Sequence, residues 1–149
     1  MIGLELVNKD NFEAVLQVSL AETDERKVAS VEYSLAQAWL YKDSGQLYPY
    51  AVMFGRKVVG FVLLSIQEED KSYYVWRLLI DKNFQNRGFG KEVIQQMIGK
   101  AKADPLCHKI SINYVIGNHK MRYILEKFGF QSVGMIGQEI KMEYQLKRR

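Results

Sequence analysis

The feature that most restricts the fold is a run of aromatic and branched residues, Ser72 to Ile80 (SYYVWRLLI), that leads within a few residues into Gln85-Asn86-Arg87-Gly88-Phe89-Gly90-Lys91. Directly behind that loop, Val93, Ile94, Met97, Ile98 and Ala101 recur at helical spacing. A buried strand thus turns through two glycines into an amphipathic helix. At such a junction several backbone N–H groups and the positive end of the helix dipole converge, which makes an anion site. A side chain at Gly88 or Gly90 is expected to obstruct either the turn or the approach of a phosphate oxygen, and Arg87 and Lys91 add charge. A Walker loop would need Gly-Lys followed by Ser or Thr, whereas Glu92 follows Lys91; a dinucleotide fingerprint would show a third glycine and a downstream acid. Taken alone, the loop also fits a plain strand-to-helix turn.

The rest of the chain supplies the setting. Gly3 to Val7 reads as a strand, and a helix begins near Asn11, with Asp10 and Glu13 at capping-box spacing. The acid-rich stretch Ala21 to Glu32 follows, then a second helix, with Ser34 and Gln37 repeating the cap spacing. Tyr50 to Phe54, Val58 to Ile66 and Ser72 to Ile80 read as an antiparallel meander. After the amphipathic helix, Asp104-Pro105 is a break and Lys109 to Val115 a strand. Asn118 then caps a helix closed by Gly129, and Gln131 to Ile136 and Glu139 to Leu146 are two closing strands.

With 149 residues, 48% of them hydrophobic, the chain is expected to form one domain. No apolar run approaches a membrane span and the first residues lack a signal-peptide pattern, so no membrane partner and a cytoplasmic location are expected. Cys107 is the only cysteine and there are two histidines, which argues against a disulfide or a metal site. The net charge of +4 gathers near Lys100 to Lys109 and in the last three residues, without stacking aromatics, so nucleic acid is not expected as a partner.

Trp76-Arg77-Leu78-Leu79-Ile80-Asp81, the glycine loop, and Asn118 with Phe128-Gly129-Phe130 resemble the GNAT acetyltransferase superfamily. Within it, Ser34-Leu35-Ala36-Gln37-Ala38, Val59-Gly60-Phe61-Val62 and the Gln138-Glu139 turn look closest to bacterial spermine/spermidine acetyltransferases. The resemblance implies an α/β (α+β) fold: a mixed, mostly antiparallel sheet of about seven strands, flanked by four helices and splayed between the fourth and fifth strands. It further implies acetyl-CoA as cosubstrate, held by Leu78, Leu79 and Ile80, by the loop Gln85, Asn86, Arg87, Gly88, Phe89, Gly90 and Lys91, and by Asn118. The activity it implies is acetyl transfer to a primary amine, with a polyamine such as spermidine or spermine as acceptor. Another amine (a protein N-terminus, a lysine, an aminoglycoside) and a non-catalytic CoA-binding module are the alternatives, and family habit suggests a homodimer through the closing strands.

The chemistry asks for more. An aliphatic amine with a pKa of about 10 is mostly protonated at neutral pH and must lose a proton before it attacks. Glu22 and Glu25, with Asp24 between them, are the first candidates for that role, and Glu68 to Asp70 the second. Family members often carry a tyrosine in the last helix that protonates the departing thiolate; counting back from Gly129-Phe130, that position is Leu125. Tyr123 lies about 200° around the helix and cannot replace it. Either Tyr114 on the neighbouring strand or water then gives the proton. Cys107 and His108 point to opposite sides if both are in a strand and form no nucleophilic pair.

Overall fold

The computed structural model describes residues 1–19, 30–43, 46–69 and 71–146. Seven strands form one sheet: β1 Gly3–Leu6, β2 Gln46–Phe54, β3 Lys57–Gln67, β4 Ser72–Ile80, β5 Lys109–Val115, β6 Gln131–Ile136 and β7 Glu139–Gln145, in spatial order β1-β2-β3-β4-β5-β7-β6. Every pairing is antiparallel except β4 with β5. That parallel pair needs a crossover, which the helix α3 (Phe89–Ala103) provides. Helices α1 (Phe12–Leu16), α2 (Val31–Leu40) and α4 (His119–Lys127) complete the GNAT arrangement implied by the resemblance.

Alternation along the central strands separates two cores. Val62 and Leu64 of β3 join Val93, Ile94 and Met97 of α3 and Leu125 of α4, whereas Phe61 and Leu63 face Val15 of α1 and Val31 of α2. Burying each such side chain contributes roughly 1.5–3 kcal/mol. The sheet is therefore sandwiched, α3 and α4 on one face and α1 and α2 on the other.

Three local expectations need correcting. Ser34 does not cap α2: it lies fully buried inside the helix, and its Oγ donates to the Ser30 carbonyl at 2.8 Å. The cap is Ser30, whose Oγ accepts from Tyr33 N at 3.1 Å. At α1 the N-cap residue is Asn11 and no side chain caps the helix; Asn11 Oδ1 instead accepts from Asn8 N. The strand β2 also begins at Gln46 rather than Tyr50, running through Pro49. Pro49 accepts from Val7 N through its carbonyl, so its missing donor faces that same side and the β2–β3 ladder keeps its bonds.

The pairing of β4 defines the site. Opposite β3 it carries a bulge: Leu63 pairs with Arg77 and Leu64 with Val75, leaving Trp76 without a partner. Pairing with β5 ends at the same point, at Val75 and Ile112. Beyond it β4 stays with β3 up to Ile80 and Gly60, while β5 stays with β7 up to Val115 and Glu139. The bulge bends β4 away, and a wedge opens between two strands of one sheet. Gly60 lets β3 follow that bend, since a Cβ there would collide with the Leu79 carbonyl.

Candidate active site

Three adjoining spaces run through the sheet at this wedge. On the α3/α4 face, a cleft of about 420 Å³ lies between the glycine loop and the start of α4. The wedge itself holds a space of about 40 Å³ that shares Leu78, Asn118 and Met121 with the cleft. On the α1/α2 face, a cavity of about 780 Å³ is lined by Tyr41, Asp43, Gln46, Glu68, Glu69 and Trp76 among others, and Trp76 also lines the wedge.

The cleft is built by the glycine loop. Gly88, with φ +81°, is the N-cap of α3, a left-handed conformation that a residue with a Cβ resists. Among the described residues no side chain caps the helix, which leaves the first amides of α3 as donors for a ligand. Gly90 differs from expectation. Its φ is not left-handed, and a Cβ would meet only Ile80 Cγ1, at 3.8 Å, an ordinary contact. The loop is braced from several sides: Asp81 accepts from Ser19 N and Asn83 N, Gln85 Nε2 donates to the Ile80 carbonyl, and Lys120 Nζ donates to Asn86 Oδ1 at 2.6 Å.

Of the residues expected to hold the cosubstrate, Leu78, Ile80, Gln85, Asn86, Gly88, Phe89, Gly90, Lys91 and Asn118 line the cleft. Leu79 and Arg87 do not. Leu79 is buried on the α1/α2 face, and Arg87 extends its guanidinium 5.3 Å from the Phe84 ring. Asp81 N donates to Val59 O, so alternation turns the Leu79 backbone toward β3 and the Leu78 and Ile80 backbones toward the wedge. Phe89 also packs inward, against Phe54 and Phe84. Asn118 caps α4 by accepting from Met121 N at 3.2 Å, while standing at the junction of cleft and wedge. His119 and Lys120 on the cleft wall were missed by the sequence reading; their only sequence signal is adjacency to Asn118.

Among the described residues lining the wedge, Tyr114 is the only one with a hydroxyl, and it is buried next to Asn118 and Met121. Leu125 is completely enclosed in the α3/α4 core, and Tyr123 is exposed. Glu22 and Glu25 lie outside the described residues. Glu68 and Glu69 stand on the cavity wall, where Gln46 Nε2 donates to Glu68 at 2.7 Å. Trp76 forms the cavity's inner end, with Tyr41 and Tyr74 packed edge-on against it at 6.1 and 6.4 Å. Cys107 is buried, its Sγ 3.3 Å from the Lys109 carbonyl.

The family model for the acetyltransferase (GNAT) family matches residues 12–130. The chain belongs to that family. As a GNAT enzyme it is an acetyl-CoA-dependent N-acetyltransferase. A spermine/spermidine N(1)-acetyltransferase of Bacillus subtilis (strain 168) is 24% identical over 139 residues, covering 89% of this GNAT chain and 90% of the relative. Spermidine N-acetyltransferase from Vibrio cholerae, solved in complex with CoA and spermine, has a TM-score of 0.76 at 16% identity, over 97% of this chain and 95% of that one. The ribosomal-protein-S18-alanine N-acetyltransferase of Escherichia coli gives 0.74 at 13% identity, over 100% and 96%. At such identities the two structures establish the GNAT fold. The cleft suits the cosubstrate: free helix-terminal amides and the lysines Lys91 and Lys120 meet an apolar wall of Leu78, Ile80, Met121 and Ile124. No helix of the described residues is long and apolar enough to cross a membrane.

Proposed function

We propose that this enzyme acetylates a primary amine of a polyamine such as spermidine or spermine. The observation that carries the reading is the 780 Å³ cavity, which meets the wedge at Trp76 and carries Asp43, Glu68 and Glu69 beside the aromatic faces of Tyr41 and Trp76. Carboxylates and aromatic rings both attract ammonium groups, and a flexible cation with several of them gains from each. The volume is within the usual range for small-molecule sites, about 300–1,000 Å³.

In this reading acetyl-CoA supplies the acetyl group as a thioester. The amides at the start of α3, with Lys91 and Lys120, hold its phosphates, and Leu78, Ile80, Met121 and Asn118 line the path to the wedge. The backbone N–H groups of Leu78 and Ile80, freed by the bulge, are the donors for a carbonyl oxygen that gains charge during transfer. We assign to Tyr114, which lines the wedge, the protonation of the departing sulfur. Arg77 braces the wedge, its Nη1 donating to the Trp76 carbonyl and its Nη2 to Gln37 Oε1. A cytoplasmic setting agrees with a sequence that has one cysteine, Cys107, which is buried. Val133, Met135 and Ile136 exposed on the edge strand β6 support a homodimer.

Steady-state turnover with spermine, spermidine, butylamine and a neutral-tailed amine tests the reading. The polyamines should give the highest kcat/KM, and that preference should shrink with added salt. Asp43→Asn and Glu69→Gln should each raise KM for spermine up to about fivefold, the scale of an exposed ion pair, and leave butylamine unaffected. Turnover of the neutral-tailed amine without turnover of either polyamine would discard the polyamine and keep the transferase.

A further inference from the structure

Among the described residues three side-chain polar atoms are enclosed without a hydrogen-bond partner: Trp76 Nε1, Arg77 Nε and Asn113 Oδ1. All three residues line the wedge. Folded proteins rarely leave such atoms unpaired, and of the three only Asn113 Oδ1 is of the kind an amine can complete, since Trp76 Nε1 and Arg77 Nε are donors that call for an acceptor. Asn113 Oδ1 is an acceptor, as the N–H of an amine requires. The other end of the same amide, Nδ2, donates to Glu139 Oε2 at 3.3 Å.

Among the described residues Glu139 is the only carboxylate lining the wedge. It begins β7 opposite Val115, on the α1/α2 side with Asn113. The groups around it are Tyr74 and Arg77 of β4, Asn113 of β5 and Lys141 of β7. Lys141 is directed elsewhere, with its Nζ 3.8 Å from Glu143 and 5.2 Å from the Tyr74 ring centre. Burial pushes the Tyr74 phenol above its ordinary value, and the charge of Glu139 adds to this against the opposing effects of Asn113 and Arg77. Tyr74 thus stays protonated at neutral pH. Arg77 is a permanent cation and Asn113 is neutral, so among the described wedge-lining residues Glu139 is the one group that accepts a proton.

We propose that Glu139 is a catalytic residue, the base that takes the proton from the acceptor ammonium while Asn113 Oδ1 holds another N–H of the same nitrogen. The assignment rests on the reading of the chain as an amine acetyltransferase and holds for any primary aliphatic amine. The ammonium loses one proton to Glu139, and the freed lone pair forms the C–N bond to the acetyl carbon. The C–S bond breaks and its electron pair leaves on sulfur. The nitrogen's second proton ends on the thiol, and Glu139 returns the first to solvent.

Glu139→Gln keeps the shape and the bond from Asn113 but cannot take the proton. With spermidine, kcat/KM should fall about 10²–10⁴-fold while acetyl-CoA affinity is unchanged. With 2,2,2-trifluoroethylamine, which is mostly unprotonated at neutral pH, the fall should be less than about tenfold, because no base is needed. Glu139→Asp, which keeps a carboxylate, should recover at least about tenfold of the loss. Equal losses on both amines, or Glu139→Gln within about threefold of wild type on spermidine, would overturn the assignment. If the wild type ignores spermidine but acetylates butylamine, the polyamine reading fails and the same comparison is made with butylamine.

Discussion

Gly88 and Gly90 stand two residues apart in one loop, yet alanine should move stability in opposite directions at the two positions. At Gly88 the obstacle is the backbone: φ is +81° and a Cβ would meet nothing within 4 Å. Holding a residue with a Cβ in that region costs about 1–2 kcal/mol. At Gly90 the backbone is helical and the Cβ would touch Ile80 Cγ1 at an ordinary 3.8 Å, so alanine should gain about 0.5–1 kcal/mol. For a chain near this length, 1 kcal/mol moves Tm by about 2–4 °C. Gly88→Ala should therefore lower Tm by about 2–8 °C and Gly90→Ala raise it by up to about 4 °C. Repeating the melts with acetyl-CoA at a hundred times the wild-type Kd separates fold from binding. The wild type and Gly90→Ala should each gain about 2.7 kcal/mol, whereas a variant that binds tenfold more weakly gains only about 1.4 kcal/mol. Gly88→Ala should show the smaller gain, because relaxing the turn misaligns the amides of α3. A fall in Tm for Gly90→Ala, or a full ligand gain in Gly88→Ala, would refute this account of the loop.

Other outcomes follow from the same geometry. Tyr114→Phe should lower kcat by about 10²-fold or more with acetyl-CoA affinity unchanged, and a silent substitution in a single-turnover assay would give the role to water. Leu125→Tyr should destabilise by about 1–3 kcal/mol in denaturant titrations, because the enclosed site must open to admit the ring. Burial raises the Tyr73 phenol above its ordinary value, helped by its hydrogen bond to Asp104, and burial also raises Tyr74. Their contribution to stability is complete below the unfolded value near pH 10 and is lost as pH rises through the folded values. Tm should accordingly decline above about pH 10, less steeply in Tyr73→Phe.

The sequence displayed what local chemistry encodes. Ser72 to Ile80 announces a strand through its aromatic and branched residues, and Val93 to Ala101 a helix through its spacing; both were found at those places. Where two residues offered the same chemistry the reading chose wrongly, as with Ser34 against Ser30, because only packing reveals which hydroxyl is buried. The start of β2 was hidden by Pro49, whose lost donor matters only if it faces a ladder bond. The wedge was implied only by resemblance. Its physical origin, the bulge at Trp76, appears when β3 and β4 are set in register. Glu139 stood out only as part of the Gln138-Glu139 turn that carries the resemblance, with nothing to mark it as a base, since it lies far along the chain from Trp76 and only the placement of β7 against β5 brings it to the wedge.

That placement has a consequence for how the enzyme comes into being. β7 is the last of the described strands in sequence, yet it lies inside the sheet, between β5 and β6. The residues that line the cosubstrate cleft end at Ile124, whereas the wedge needs Glu139, which reaches it only when β7 pairs with β5. Such late, long-range pairing is a slow kind of step. Until β7 is in place the wedge lacks Glu139 and the core beneath α3 and α4 lacks Met142, so the acceptor side of the site is the last part of the enzyme to be completed.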